Sequence, residues 1–173
     1  SLDRRQRQMC IRDRSGSDMV SELDLLVRAV DDPELPHVTI GDLGMVRSVE
    51  VDGRPAHVRL TPTYTGCPAT EQIRSDVEAA VVAAGYEPSV EFVMSPPWST
   101  DDITDQGRAK LTAAGIAPPG AAADGPVALD LPVACPHCNS RRTRLTSAFG
   151  ATACKALHMC DACRQPFESF KAI

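Results

Sequence analysis

Two Cys-x-x-Cys pairs constrain this chain more than anything else in it: Cys135 with Cys138 and Cys160 with Cys163, separated by 21 residues. A tight turn after the first cysteine of each pair brings two sulfurs to one edge of a tetrahedron, and two such turns close it. Four thiolates with no open position describe a structural metal site. Zinc is expected ahead of a single iron bound by four sulfurs, whose geometry is the same. The residues after the two pairs are Asn139 and Arg164, not the glycine that often follows an iron-binding turn. A segment of only about 40 residues cannot stay folded on its core alone, so the metal would supply much of its stability.

Four reduced cysteines or two disulfides are the competing reading of the same residues. The chain has seven cysteines, and its first residues hold no apolar run of the signal-peptide kind. A reducing, cytoplasmic setting is therefore expected, with thiols left for metal. Residues 1–17 are Arg-rich and without period, and read as a disordered or artefactual tail in which Cys10 carries no inference.

Charge divides the chain. Residues 1–17 carry +3, residues 18–132 carry −12 and residues 133–173 carry +4. An acidic body argues against a general nucleic-acid binder, whose main domain should attract phosphate. No window approaches the roughly 18 apolar residues a membrane span needs.

Periodicity gives the order of elements. Leu23, Leu26, Val27 and Val30 mark an amphipathic helix over 17–30, ended by the Pro33 region. Val46, Val49 and Val51, then Val58 and Leu60, mark two strands around the turn Asp52-Gly53, a β-hairpin whose second strand frays or lies at an edge past Pro62. Ile73, Val77 and Val81 mark the clearest helix, over 66–86, and Val90 and Phe92 a third strand over 88–94. Ser99 and Asp102 fit a capping box for a shorter helix to about Ala114. The class is α+β: a small mixed sheet with helices on one face, α-β-β-α-β-α over 18–116. A Pro/Gly/Ala-rich linker follows over 117–132, then a small β-rich, four-cysteine zinc ribbon over 133–173.

Two further thiols stand out. Cys67 lies where the second strand hands over to the long helix. With Thr65 or Cys67 near the N-cap, the helix dipole would favour thiolate, and Asp31, Asp32 and Glu34 lie in a loop that can bring carboxylates close. Cys154, beside Lys155, is either a small buried cysteine or a reactive, ligand-exchanging thiol. His137 and His158 read as exposed bystanders, and Arg141, Arg142 and Arg144 as a solvated face or docking patch. No Ser–His–Asp, Walker or Rossmann pattern is present, so the chain is not expected to be catalytic itself.

The segments at 32–46 (DPELPHVTIGDLGMV), 60–69 (LTPTYTGCPA) and 95–104 (SPPWSTDDIT) resemble the small α+β domain of SufT-like iron–sulfur assembly proteins. With the Cys-rich segment 134–171, the chain looks like a member of the PaaD family, the D subunits of the phenylacetyl-CoA ring-epoxidising oxygenase system. That resemblance implies an accessory role in aerobic phenylacetate degradation: assembling or maturing iron–sulfur or iron centres of a complex whose reductase carries flavin and a 2Fe–2S cluster. It implies that Cys67 handles iron or a cluster, with Asp32 and Glu34 as its acidic neighbours, beside a structural Zn2+ in the ribbon. The other subunits, above all the reductase, would be the partners. An electron-transfer subunit with iron on the four sulfurs is the alternative, and a zinc-ribbon nucleic-acid binder a weaker one.

Overall fold

A computed structural model describes residues 16–35, 37–120 and 133–171. The N-terminal tail as far as residue 15 and the linker from residue 121 to 132 lie outside the described residues.

The chain runs α1 (Gly16–Arg28), β1 (Val46–Val51), β2 (Pro55–Leu60), α2 (Thr70–Ala83), β3 (Glu87–Phe92), a single 3-10 turn (Thr100–Asp102) and α3 (Asp105–Ala113). Then come β4 (Ile116–Ala117), β5 (Thr143–Ser147), β6 (Lys155–Cys160) and β7 (Pro166–Phe170). The fold is α+β with two small sheets. In the first, β2 is central: it pairs antiparallel with β1, Val49 opposite Val58, and parallel with β3, Val58 opposite Val90. The hairpin turn falls at Asp52–Gly53, and Gly53 takes the positive φ of 69° that such a turn demands. β2 ends at Leu60 before Pro62, but it is not an edge strand, because the parallel β3 covers its other side.

Strict alternation fixes which face is buried. Ala56, Val58 and Leu60 point inward, while Pro55, His57 and Arg59 face solvent. The helices lie on the inward side. α2 sets Ile73, Val77 and Val81 into the core, and α1 contributes Leu23 and Val27. Leu26, expected on the α1 stripe, is instead 46% exposed. The capping box at Ser99 and Asp102 forms, but it closes the 3-10 turn. Ile103 is extended, and α3 starts afresh with the Thr104 side chain accepting from the Gly107 amide.

The second sheet has the order β4-β7-β6-β5. Its first strand, β4, comes from the end of the α+β segment, so Ala117, where the linker was expected to begin, pairs with Ser169 of the ribbon. Cys154 and Phe170, from the ribbon, belong to the same continuous hydrophobic core as Leu23, Val58 and Val77. The two sheets therefore share their interior.

Candidate metal centre

Each Cys-x-x-Cys turn is built the same way. The Cys135 amide donates to the Ser140 carbonyl and its own carbonyl accepts from Asn139. The Cys160 amide donates to Gln165 and its carbonyl accepts from Arg164. In both turns the residue after the second cysteine takes a left-handed backbone, φ 58° at Asn139 and 61° at Arg164. Asparagine tolerates that conformation better than most residues, arginine less well.

The four sulfurs all lie within 4.8 Å of one another. Cys135 Sγ is 3.7 Å from Cys163 Sγ, and Cys138 Sγ is 3.6 Å from Cys160 Sγ. A disulfide would need about 2.05 Å. A tetrahedral ion with metal–sulfur bonds of about 2.3 Å has edges of about 3.8 Å, so the quartet fits one tetrahedral metal ion and no disulfide. The thiols also share protons unequally. The Cys163 amide, helped by the Ala162 amide and neighbouring thiols, outweighs burial and lowers Cys160 to about 7. At Cys163 the Gln165 amide favours thiolate, but burial and the surrounding thiols win and push it up to about 12.

His137 is exposed beside this centre. His158 is not the exposed bystander the sequence suggests: it is buried on β6, bonded to Ser169 Oγ at 3.0 Å and stacked on Phe167. Burial lowers its pKa, disfavouring the charged ring. Arg141, Arg142 and Arg144 are exposed, and Arg144 pairs with Asp161 at 3.3 Å.

The second cluster draws on three segments. The loop after α1 is closed by the Asp31–Thr39 bridge and by the Asp32 amide donating to Val38 at 2.9 Å. The buried side chain of Leu35 anchors it. Within it, Asp32 Oδ1 accepts from the Glu34 backbone amide at 2.8 Å, which holds the Asp32 carboxylate in place. Cys67 follows a left-handed Gly66, φ 86°, and its Sγ lies 3.9 Å from Glu34 Oε2. Cys154 comes from the ribbon, buried to 5% exposure, in the turn that leads into β6. It belongs to the hydrophobic core against which Cys67 also packs.

Both thiols ionise less readily than the sequence suggests. Helix α2 begins only at Thr70, with Ala69 at the N-cap. Cys67 is thus a turn short of the helix end, and its thiol is pushed up first by burial, then by Glu34, Cys154 and Asp32, against the Ala69 amide. Burial likewise raises Cys154, with Glu34 and Asp32 adding to it, and neither the Thr152 hydroxyl nor Lys155 compensates. Burial raises Asp32 too. Lys155, next to Cys154, is itself buried and held by Glu168 at 2.9 Å, and Lys171 Nζ donates to the Ala153 carbonyl at 2.7 Å. Neither that pair nor the entry of Cys154 into the core of the α+β segment has a local signature in the sequence.

Two family models match. One, an iron–sulfur cluster assembly protein, covers residues 26–94, and the PaaD zinc beta ribbon domain covers residues 121–171. A protein of Escherichia coli (strain K12), named as the D subunit of a "Putative 1,2-phenylacetyl-CoA epoxidase", is 44% identical over 155 residues, spanning 89% of this chain and 93% of that protein. Among solved structures, a crystal structure of a domain of unknown function, DUF59, from Bacillus anthracis is similar with a TM-score of 0.51 at 34% identity. It covers 55% of this chain and 92% of its own.

Proposed function

This chain belongs to the family of phenylacetyl-CoA epoxidase D subunits, and from that premise we propose that it is an accessory subunit that assembles or matures the iron–sulfur or iron centres of that system, those of its reductase first. The observation that carries the reading is Cys67. It stands in the segment that matches iron–sulfur cluster assembly proteins, half-buried, 3.9 Å from the Glu34 carboxylate. A thiol and carboxylates at one place suit transient handling of iron, which is soft enough for sulfur and hard enough for oxygen. Iron or a cluster is cargo in this reading, and Cys67, Asp32 and Glu34 are the residues that receive it.

The quartet is given a different task. Cys135, Cys138, Cys160 and Cys163 would hold one structural Zn2+ that keeps the ribbon folded, since a closed four-sulfur site leaves no position for a reactant. The chain performs no catalytic step of its own here. It would act in the cytoplasm, alongside the other subunits of the system.

The test is to purify the reductase from cells with and without this subunit and to measure iron and acid-labile sulfide per reductase chain. Loss of both without the subunit is the expected result. A fully loaded reductase from the deletion strain would refute the role. Metal analysis of the subunit itself should give zinc in a colourless protein, whereas a red, reducible sample containing iron would favour electron transfer.

A further inference from the structure

We propose that the free edge of β5, with the arginines around it, is a docking strand. Its occupant is an extended segment of another subunit, alternating acidic and apolar residues, which pairs with β5 as a fifth strand of the second sheet. This deepens the proposed function, and rests on it for the partner being a subunit of the same system.

The edge is open. β5 ends the sheet order, with β6 on one side and, among the described residues, no strand on the other. Thr143–Ser147 are all exposed or half-buried, whereas β4 at the opposite edge is buried. An open edge carries unpaired amides and carbonyls that another strand can complete.

Charge selects what completes it. Residues 133–173 carry +4, and their two lysines are engaged. Lys155 pairs with Glu168 at 2.9 Å, and Lys171 donates to the Ala153 carbonyl and lies over the Phe149 ring. The remaining positive charge is four exposed arginines. Arg141 and Arg142 lead into β5 and Arg144 lies on it. Arg164 stands in the second Cys-x-x-Cys turn, which the Asp161 amide ties to the Arg142 carbonyl at 2.8 Å. Asp161 is the one acid among them, and it is shared with Arg144 at 3.3 Å. An arginine and the bulge between Leu145 and Ser147 are devices that keep an edge from pairing with its like. They leave it open to an acidic strand.

Alternation fixes the pattern of that strand. Arg144 lies opposite Met159 and Leu145 opposite His158, so the two side chains project to opposite faces. A strand laid beside them would set an acid next to Arg144 and an apolar residue next to the exposed Leu145.

Two other occupants fit worse. A second copy has open edges at β1 and β3. The β3 acids Glu87 and Glu91 are already paired with Arg54 at 3.5 Å and Arg59 at 2.6 Å, β1 carries the single acid Glu50, and another β5 would bring arginine against arginine. Nucleic acid would have to approach the −12 segment whose core the ribbon shares. Phe149, the exposed aromatic after β5, is already covered by Lys171.

The experiment mixes the full chain with each purified subunit of the system in turn. It reads affinity by calorimetry between about 50 and 300 mM salt, and amide exchange along β5. One subunit should bind, about tenfold more weakly at the higher salt, and should slow exchange of the β5 amides about tenfold or more. R141E/R142E should weaken binding about tenfold or more. R54E/R59E, the same charge change on the exposed face of the first sheet, should leave it unaltered. Unchanged metal content and circular dichroism certify both variants as folded. The proposal is overturned if no subunit binds, if the bound subunit leaves β5 exchange as in the free chain, or if R141E/R142E binds as tightly as the wild type. Protection of β5 in a dimer of the chain alone, or by RNA and by no subunit, assigns the edge to another occupant and overturns it too. Reductase loading reads the function separately. If the interface forms but the deletion strain loads its reductase fully, the surface stands and the maturation role falls. If loading needs the chain but no subunit protects β5, the role stands and the surface falls.

Discussion

The ring of Trp98 packs against the ring of Phe170 with centroids 5.9 Å apart and planes at 57°, and this contact joins the α+β segment to the last strand of the ribbon. Trp98 is held from the other side, its indole Nε1 donating to the Leu43 carbonyl at 2.7 Å. Both side chains are buried, so the tilted pair contributes packing as well as area. Phe170→Ala should cost about 3–5 kcal/mol and loosen the seating of Cys154, whose carbonyl accepts from the Lys171 amide next to Phe170. Chemical denaturation would read the first effect and alkylation of Cys154 the second. A stable variant in which Cys154 stays protected would show that the ribbon docks without this pair.

Metal removal should be visible from across that contact. Trp98 is the chain's single tryptophan and lies in the α+β segment. Stripping the quartet with a chelator releases the turns that hold β5, β6 and β7, and with them Phe170. Trp98 emission should then shift to the red while hydrogen exchange at Val77 in α2 stays slow. Complete metal extraction with unchanged emission would mean that the ribbon keeps its place without the ion.

Periodicity and spacing carry those parts of the structure where one local pattern decides. Ile73, Val77 and Val81 recur at helical spacing and are all buried. The Asp52–Gly53 turn can be read because few residues accept its backbone. The quartet can be read because two-residue spacing has few other uses. Legibility fails where a distant partner decides. β6 goes unmarked because its inward positions include His158 and Cys160, polar types whose partners Ser169 and Cys138 sit on other segments. A dipole argument at Cys67 misleads because α2 begins only at Thr70, and burial with Glu34, Cys154 and Asp32 pushes the thiol up. That Cys154 of the ribbon enters the core against which Cys67 packs depends on how two sheets dock, which no local pattern encodes.

Acid should weaken the fold through Asp42. Its carboxylate is buried, accepts from Lys110 Nζ at 2.6 Å and from the Thr39 amide and hydroxyl at 2.9 and 3.0 Å. Burial raises its pKa, but these bonds outweigh it and leave the group below its ordinary 3.8. A lowered folded-state pKa means stability that is whole above about pH 4 and lost as pH falls through the folded value. Asp42→Asn should therefore cost about 2–3 kcal/mol at neutral pH and flatten the acid limb of the stability curve. An unchanged acid limb in the variant would assign acid sensitivity to Asp102 or Glu168, which are lowered in the same way by Arg47 and by the Ala151 amide with Lys155.

The same turn sets the sign of a substitution in α3. Replacing an exposed helical glycine by alanine usually gains about 1 kcal/mol. At Gly107 a Cβ would stand 2.4 Å from the Asp42 carbonyl oxygen. That oxygen cannot retreat, because it already accepts from the Thr104 amide at 2.9 Å and the Thr104 hydroxyl at 3.2 Å, the bonds that tie the N-cap residue of the helix to this turn. Gly107→Ala should therefore lose about 1–3 kcal/mol net, whereas Ala at the exposed Gln106 should be neutral or slightly favourable. Denaturant midpoints of the two variants decide it. A raised midpoint for Gly107→Ala would mean that α3 can step away from the Asp42 turn, and that the Lys110 contact to Asp42 is not what pins it there.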